Sequence, residues 1–432
     1  MKKIKTIYRA GLRWWLALIF LFIGLGRVSL NHTANPGSLS PPLFYFQLRP
    51  LGFISFSVGG SLENLIFFGL LLWLAACIWD RRLRIIPAKL TLPSLCLATV
   101  SIAAALFSPF PIRDSKDGLI AIMAGVALFF LAAALASDQK EQRRVWWVLT
   151  AGISVAAAAG ILMYLRGIYF PLADRRIWLP FLHPNTSGAA LLLVIPIVLN
   201  FTLGRSPRFY RVAGASAAAI MLTALAMTFS RTAWIGLLFA LAVMAWKWKK
   251  KRYLLVPALA GVMALAVGVR VGPQTYLRER VENLLGLGVD PNIHKRMVYW
   301  EASVRMVADR PWLGYGPGLK LYPDIYENRY KMQETGEAPA HAHNLYLSQA
   351  VSLGLAGLAV LVWWLAALLR DLAKRQRGAA GWFEKGLAWG STAAFSAFLF
   401  TGIIDNHFFT PRLLILFFGL AGLAAAGKGK MG

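Results

Sequence analysis

Apolar runs of roughly 16 to 27 residues recur along nearly the whole chain, separated by short polar connections. Runs of that length span a hydrocarbon core as helices, and none shows the apolar/polar alternation of a membrane-barrel strand. The pattern predicts about twelve spans, near residues 14–30, 64–79, 90–108, 118–137, 145–165, 187–203, 212–229, 232–246, 253–270, 343–369, 386–404 and 412–427. The expected fold is therefore an all-α polytopic membrane protein in three stretches. Residues 1–272 carry helices with short loops, 273–342 form one long polar segment, and 343–432 carry the last spans.

The long segment has helical signals of its own. In YLRERVENLLGLG, Leu277, Val281, Leu284 and Leu285 recur at helical spacing, as in an amphipathic helix lying on a bilayer or a bundle. Asp290-Pro291 announces a second helix, an N-cap acceptor followed by proline at the first helical position. It should run from about 291 to 309 with Met297, Trp300, Val304 and Val307 or Ala308 on its apolar side. RPWLGYGPG (310–318) ends it, because proline blocks propagation and glycines supply turn conformations. Gly314, Gly316 and Gly318 follow no strand, which argues against a nucleotide-binding loop.

Composition agrees with the pattern: 58% of residues are hydrophobic and 15% charged, too little polar surface for a soluble domain of this length. The start, MKKIKTIYRAGLRWWLALIFLFIGLG, resembles a signal sequence without a small-x-small cleavage site and reads as an uncleaved first span. Cys77 and Cys96 both fall in apolar runs, giving neither a disulfide framework nor a zinc pattern.

The formal charge of +27 raises the possibility of a nucleic-acid partner, but its distribution answers otherwise. The clusters DRRLR (80–84), KWKKKR (247–252) and RDLAKRQR (370–377) fall on alternate connections, as cytoplasmic anchors facing anionic lipid do. Both termini are then cytoplasmic and the 273–342 segment is external. Acidic residues concentrate on that external side. The positive excess is mostly topological, and the expected partners are membrane lipids rather than nucleic acid.

That orientation gathers the polar chemistry on one face. Arg175, Arg176, His183 and Asn185 lie in ADRRIWLPFLHPNTSG (173–188), Arg231 sits in the very short FSRTAW hairpin, and Arg296 is on the 291–309 helix. His341, His343 and Asn344 stand in EAPAHAHNLYLSQA, directly before an apolar run. No nucleotide is available outside the cytoplasm, so a transferase there must draw on an activated donor carried in the membrane. Arginines suit a phosphate or pyrophosphate on such a donor, because guanidinium binds phosphate oxygens bidentately and stays charged. A histidine suits proton removal from a hydroxyl near neutral pH. A metal reading of His341 and His343 finds only two ligands, with Glu334 and Glu337 as candidates to add to them. Asp405 and His407, in another outer loop, either join the site or cap its helices. Trp300, Trp312 and Tyr315 fit interfacial packing or sugar stacking.

Several of these residues carry a family resemblance. HPN (183–185), SRTAW (230–234), RMVYWxA (296–302) followed by PWLGYGPG (311–318), HNLYL (343–347) and GLAGL (354–358) resemble, in order and spacing, the O-antigen ligase and polymerase family of bacterial membrane proteins. The resemblance implies a multi-spanning glycosyltransferase of the inner membrane, its active site facing the periplasm. Such an enzyme moves a glycan from undecaprenyl pyrophosphate to an acceptor hydroxyl, which in ligases belongs to the lipid A core. It implies an inverting transfer without metal or other cofactor, with His343 as the acceptor-activating base and Arg231 and Arg296 holding the pyrophosphate. Arg176 fits the arginine that precedes the HPN-like segment, in competition with Arg175. His341, Asn344, His183, Asn185, Trp300 and Tyr315 are possible supporting residues. The ligase branch is favoured over the polymerase branch. A secondary transporter or lipid-carrier flippase is the rival of another class, but it would place polar residues near mid-membrane on two matching halves.

Overall fold

A computed structural model describes residues 2–25, 62–80, 88–166, 176, 177, 179, 183–248, 291–331, 338–379 and 381–426. The span placed at 253–270, the amphipathic helix placed on 277–285, Arg175, Asp290, Glu334 and Glu337 lie outside the described residues. Within them the protein is all-α, with no strand. The helices are α1 (Lys2–Leu25), α2 (Leu62–Asp80), α3 (Ala88–Leu106), α4 (Ile112–Leu135), α5 (Gln139–Leu165), α6 (Pro184–Leu203), α7 (Arg208–Met227) and α8 (Arg231–Trp248). There follow α9 (Pro291–Asp309), the short α10 (Leu321–Ile325), α11 (Leu345–Gly378), α12 (Trp382–Thr401) and α13 (Pro411–Ala425). Among the described residues, eight helices (α1 to α7 and α11) are long and apolar enough to cross a membrane, and α8 and α13 are shorter apolar helices.

Burial sorts these helices by their sequences. α6 is apolar all round, and every residue from Ser187 to Phe201 is buried, which is how a central helix reads. It packs against α7 and α12. Small residues let the backbones close up: a Cβ at Gly390 of α12 would stand 2.4 Å from the Ile197 Cα of α6. Asn200 ties the same pair, donating through Nδ2 to the Gly386 carbonyl at 2.6 Å. At the periphery, Leu71, Ile78 and Leu92 are exposed, an apolar surface that suits lipid rather than water.

The second half of the fold departs from a simple bundle at α11. Gly354 has φ +68, a left-handed conformation inside the helix, and the ladder breaks there. Leu355 N donates to Pro311 O at 2.7 Å and Ala356 N to Trp312 O at 3.3 Å, while the Val351 and Ser352 carbonyls accept from Tyr315 N and Gly316 N at 2.9 Å each. The PWLGYG turn and the broken helix therefore exchange hydrogen bonds. This explains Gly314 and Gly354: a Cβ at Gly314 would stand 2.4 Å from Val351 O, and one at Gly354 would stand 2.1 Å from Trp312 O, whereas one at Gly316 would stand 2.4 Å from Ser115 Oγ.

α9 begins at Pro291 and ends at Asp309, as the capping signals predict, but its buried side is not the predicted one. Met297 and Val304 are exposed. Tyr299, Ala302 and Met306 pack instead into a second buried cluster with Tyr315, Tyr322, Tyr326, Ala342 and Val351. Two apolar stripes run along this helix. Tyr322, whose hydroxyl meets Ser303 Oγ at 2.8 Å, selects the one that holds the serine.

Candidate active site

The candidate site is built from four chain segments that meet at one end of the bundle, and four helices begin there. The start of α6 meets that of α8, since a Cβ at Gly188 would touch Ala233 Cβ and Ser230 Cβ at 2.7 and 3.3 Å. Thr410, before α13, donates through Oγ1 to Thr186 Oγ1 at 3.4 Å. Leu345, the first residue of α11, donates its N–H to the Gly402 carbonyl at 2.7 Å. Helix N-termini carry positive partial charge, so this convergence makes an electropositive end suited to an anion.

The HAHN sequence is shaped by capping. Asn344 is the N-cap of α11, its Oδ1 accepting from Tyr346 N and Leu347 N at 2.9 and 3.0 Å. His343 precedes it at φ +49, a left-handed conformation uncommon outside glycine. Its own N–H donates to His341 Nδ1 at 3.0 Å. The two imidazoles stand 4.3 Å apart between centroids, His343 lies 6.1 Å from the Tyr299 ring at 26°, and His341 rests on Phe409 at 4.9 Å. Burial, and then the neighbouring His343, pushes the His341 imidazole down to about 3, so it is neutral.

Asp405 completes the arrangement. Its Oδ1 lies 3.5 Å from His343 Nδ1, an ion-pair distance rather than a tight hydrogen bond, and accepts from Asn406 N at 2.9 Å. Burial pushes this carboxyl up, but His343, His407 and His341 together outweigh it and hold it below the usual carboxylate range. Asp405 is thus an anion, fixed by its loop and facing the imidazole. His407, also buried, is anchored to Thr401 through Nε2 and Oγ1 at 2.9 Å.

The arginines approach on other elements. His183 is the N-cap of α6, its Nδ1 accepting from Asn185 N at 3.2 Å, with Pro184 opening the helix. Asn185 Oδ1 accepts from Arg176 Nη2 at 2.7 Å, and Arg176 Nε donates to the Thr228 carbonyl at 2.6 Å. The guanidinium is so braced between HPN and the turn before α8. The surrounding protein and then the Arg176 charge push the His183 imidazole below its ordinary value, with Asp405 opposing, which sets these three groups in one electrostatic neighbourhood. Arg231 is the first residue of α8, two positions after Phe229, the other non-glycine residue with positive φ among those described. Arg296 is half-buried on α9, one turn before Tyr299, so it shares a helix face with the residue that stacks on His343.

Two sequence candidates play other parts. Tyr315 is 2% exposed. Its hydroxyl bonds Tyr330 Oη at 2.9 Å and its carbonyl accepts from Ser108 Oγ at 2.6 Å, so it is a core residue and not a sugar platform. Trp300 Nε1 is buried without a hydrogen-bond partner among the described residues. The site residue that sequence reasoning left undecided is Asp405. The only signal was its place in an outer IIDNHFF loop.

His341, His343 and Asp405 place one ligand atom each within 4.8 Å of one another, a spacing that could hold a metal ion. Yet the His341 Nδ1 lone pair is taken by the His343 N–H. Ligation through Nδ1 needs that lone pair, and ligation through Nε2 puts a proton on Nδ1 against the same N–H. Either breaks the bond that orients the motif.

Residues 216–362 match the family model described as O-antigen ligase. The matched stretch runs from within α7 into the second half of α11 and takes in Arg231, Arg296, His341 and His343. No curated protein matches the chain.

Proposed function

We propose, from the match of residues 216–362 to the O-antigen ligase family, that the protein transfers a glycan from a membrane-borne polyprenyl pyrophosphate to a sugar hydroxyl of a glycolipid acceptor. The reaction takes place at the periplasmic face of the inner membrane. His343 takes the acceptor proton, and Asp405 orients its imidazole and stabilises the imidazolium as the hydroxyl attacks the anomeric carbon. Arg231, Arg296 and the braced Arg176 hold the departing pyrophosphate, helped by the helix N-termini around them. Attack from the side opposite the leaving group inverts the anomeric centre, and no metal or other cofactor takes part. The observation that carries this reading is the meeting of His343 with a buried carboxylate at the end of the bundle where Arg176 and Arg231 also stand.

A transporter reading is disfavoured because, among the described residues, the histidines, Asp405 and the arginines named above stand at one end of the bundle rather than midway along broken helices in two matching halves. Within the family, a ligase acting on the lipid A core is favoured over a polymerase by the shape expected of the chain, about twelve spans with one long external segment.

The test is transfer by purified protein supplied with undecaprenyl-pyrophosphate glycan and candidate acceptors. The wild type should transfer with and without chelator, and His343→Ala should abolish transfer at unchanged protein level. Transfer lost on chelation and restored by a divalent ion would overturn the metal-free mechanism. A single addition per acceptor identifies a ligase, and a ladder of products a polymerase.

A further inference from the structure

A second concavity lies beyond the residues used so far. The end of α3, the turn after α9 and the π-helical turn Tyr326–Tyr330 border an open groove of about 530 Å³, lined among others by Phe107, Asp309, Arg310, Trp312, Tyr315 and Arg329. Arg310 is held in place: it donates through Nη2 to the Phe107 carbonyl at 3.0 Å and its guanidinium lies 5.7 Å over the Tyr315 ring. Arg329, exposed on the π-helical turn, supplies a second cation. Asp309 accepts from the Tyr330 hydroxyl, which also bonds Tyr315 at 2.9 Å. Trp312 is 74% exposed and Phe107 67%, at the end of the apolar helix α3. Tyr315 belongs to the same buried cluster as Tyr299 and Ala342, so the groove adjoins the cluster that backs His343.

We infer that this groove binds the phosphorylated saccharide head group of a membrane glycolipid. The two guanidinium groups suit a phosphate monoester. The open indole face suits the apolar face of a pyranose ring. Asp309 favours a sugar over a bare phospholipid: a carboxylate beside two arginines accepts hydroxyl hydrogens from a saccharide, whereas next to a lone phosphodiester it only repels. The phenylalanine and tryptophan at the mouth keep the head group level with the membrane surface. If the transfer proposed above takes place, the occupant is its acceptor; that assignment rests on the transferase reading, and the binding itself does not.

Binding of purified full-length protein in detergent to three probes tests the inference without requiring turnover. The probes are a phosphorylated disaccharide glycolipid, the same lipid after phosphatase treatment, and phosphatidylglycerol. The first should bind about tenfold more tightly than either of the others, and Arg329→Gln and Trp312→Ala should each weaken it about five- to tenfold. Both residues are exposed, and melting temperature checks that the variants remain folded. Equal binding of phosphatidylglycerol would reduce the groove to a general anionic-lipid contact and overturn the inference. Undiminished binding by the folded double variant would do the same. Glycolipid binding that persists in a protein without transfer activity would support the groove while the transferase reading fails.

Discussion

Replacing Asp405 by asparagine keeps the volume of the side chain and removes its charge. In the wild type the carboxylate faces the imidazolium that forms at His343 when the acceptor loses its proton. At the 3.5 Å separation and an effective dielectric of about 20, the attraction is about 5 kcal/mol. The His343 side chain is 32% exposed, so water screens part of this, and a loss of about 2–3 kcal/mol is the working figure. Because the charge develops only as the proton moves, the loss should appear in kcat, as a fall of roughly 30- to 150-fold, with donor KM little changed. Initial rates on reconstituted protein with a lipid-pyrophosphate donor measure this, and melting temperature separates catalysis from folding. Asp405→Glu, which restores the charge at a shifted position, should recover part of the rate. Wild-type kcat in folded Asp405→Asn would show that His343 works without the carboxylate, and the pairing would then be structural.

Arg231→Ala and Arg296→Ala should each lower kcat/KM for the donor by about tenfold or more, and lysine should restore only part, since it lacks the planar fork; steady-state kinetics on each pair decides. Arg176→Lys cannot keep both the Thr228 and the Asn185 bonds, so it should cost stability as well as rate, read as a lowered melting temperature. Gly354→Ala forces a Cβ onto Trp312 O at 2.1 Å at φ +68, a strain of at least about 2–3 kcal/mol that should show as loss of monodisperse protein in detergent. The neutral form of His341 is favoured by the fold, its imidazole held at about 3 against an ordinary 6.5. Its contribution is complete above pH 6.5 and drains away as pH falls toward 3. Melting temperature should therefore decline with acidification over that window, less steeply in His341→Asn; parallel slopes would refute it.

Local signals were legible in the sequence and long-range pairings were not. Asp290-Pro291 predicts where α9 starts, and Asn344 stands as the N-cap of α11, because helix-start signals involve only the next few residues. The buried side of α9 could not be chosen from periodicity, since two apolar stripes compete and the decision rests with Tyr322, on another helix. GYGPG carries an evident demand for glycine, but the reason for Gly314 lies in α11, some forty residues on, and the reasons for Gly316 and Gly318 lie at Ser108, Asp114 and Ser115, far earlier in the chain. His343 and the arginines were singled out through a pattern of motifs. Asp405 stands sixty-two positions after His343, in a loop whose carboxylate could equally have been a cap. Of Arg175 and Arg176, whose order sequence left open, Arg176 makes the described bonds.

The exchange of hydrogen bonds at Gly354 bears on how the protein is assembled. While α11 enters the membrane, Val351 and Ser352 carbonyls can be satisfied only by Leu355 and Ala356 of an unbroken helix, as lipid offers nothing else. The break requires the PWLGYG turn, which is synthesised earlier and supplies partners for all four freed groups. The native structure thus trades two rungs of the helix for partners in a preceding loop. The trade fastens the PWLGYG turn that follows α9 to the helix that begins two residues after His343.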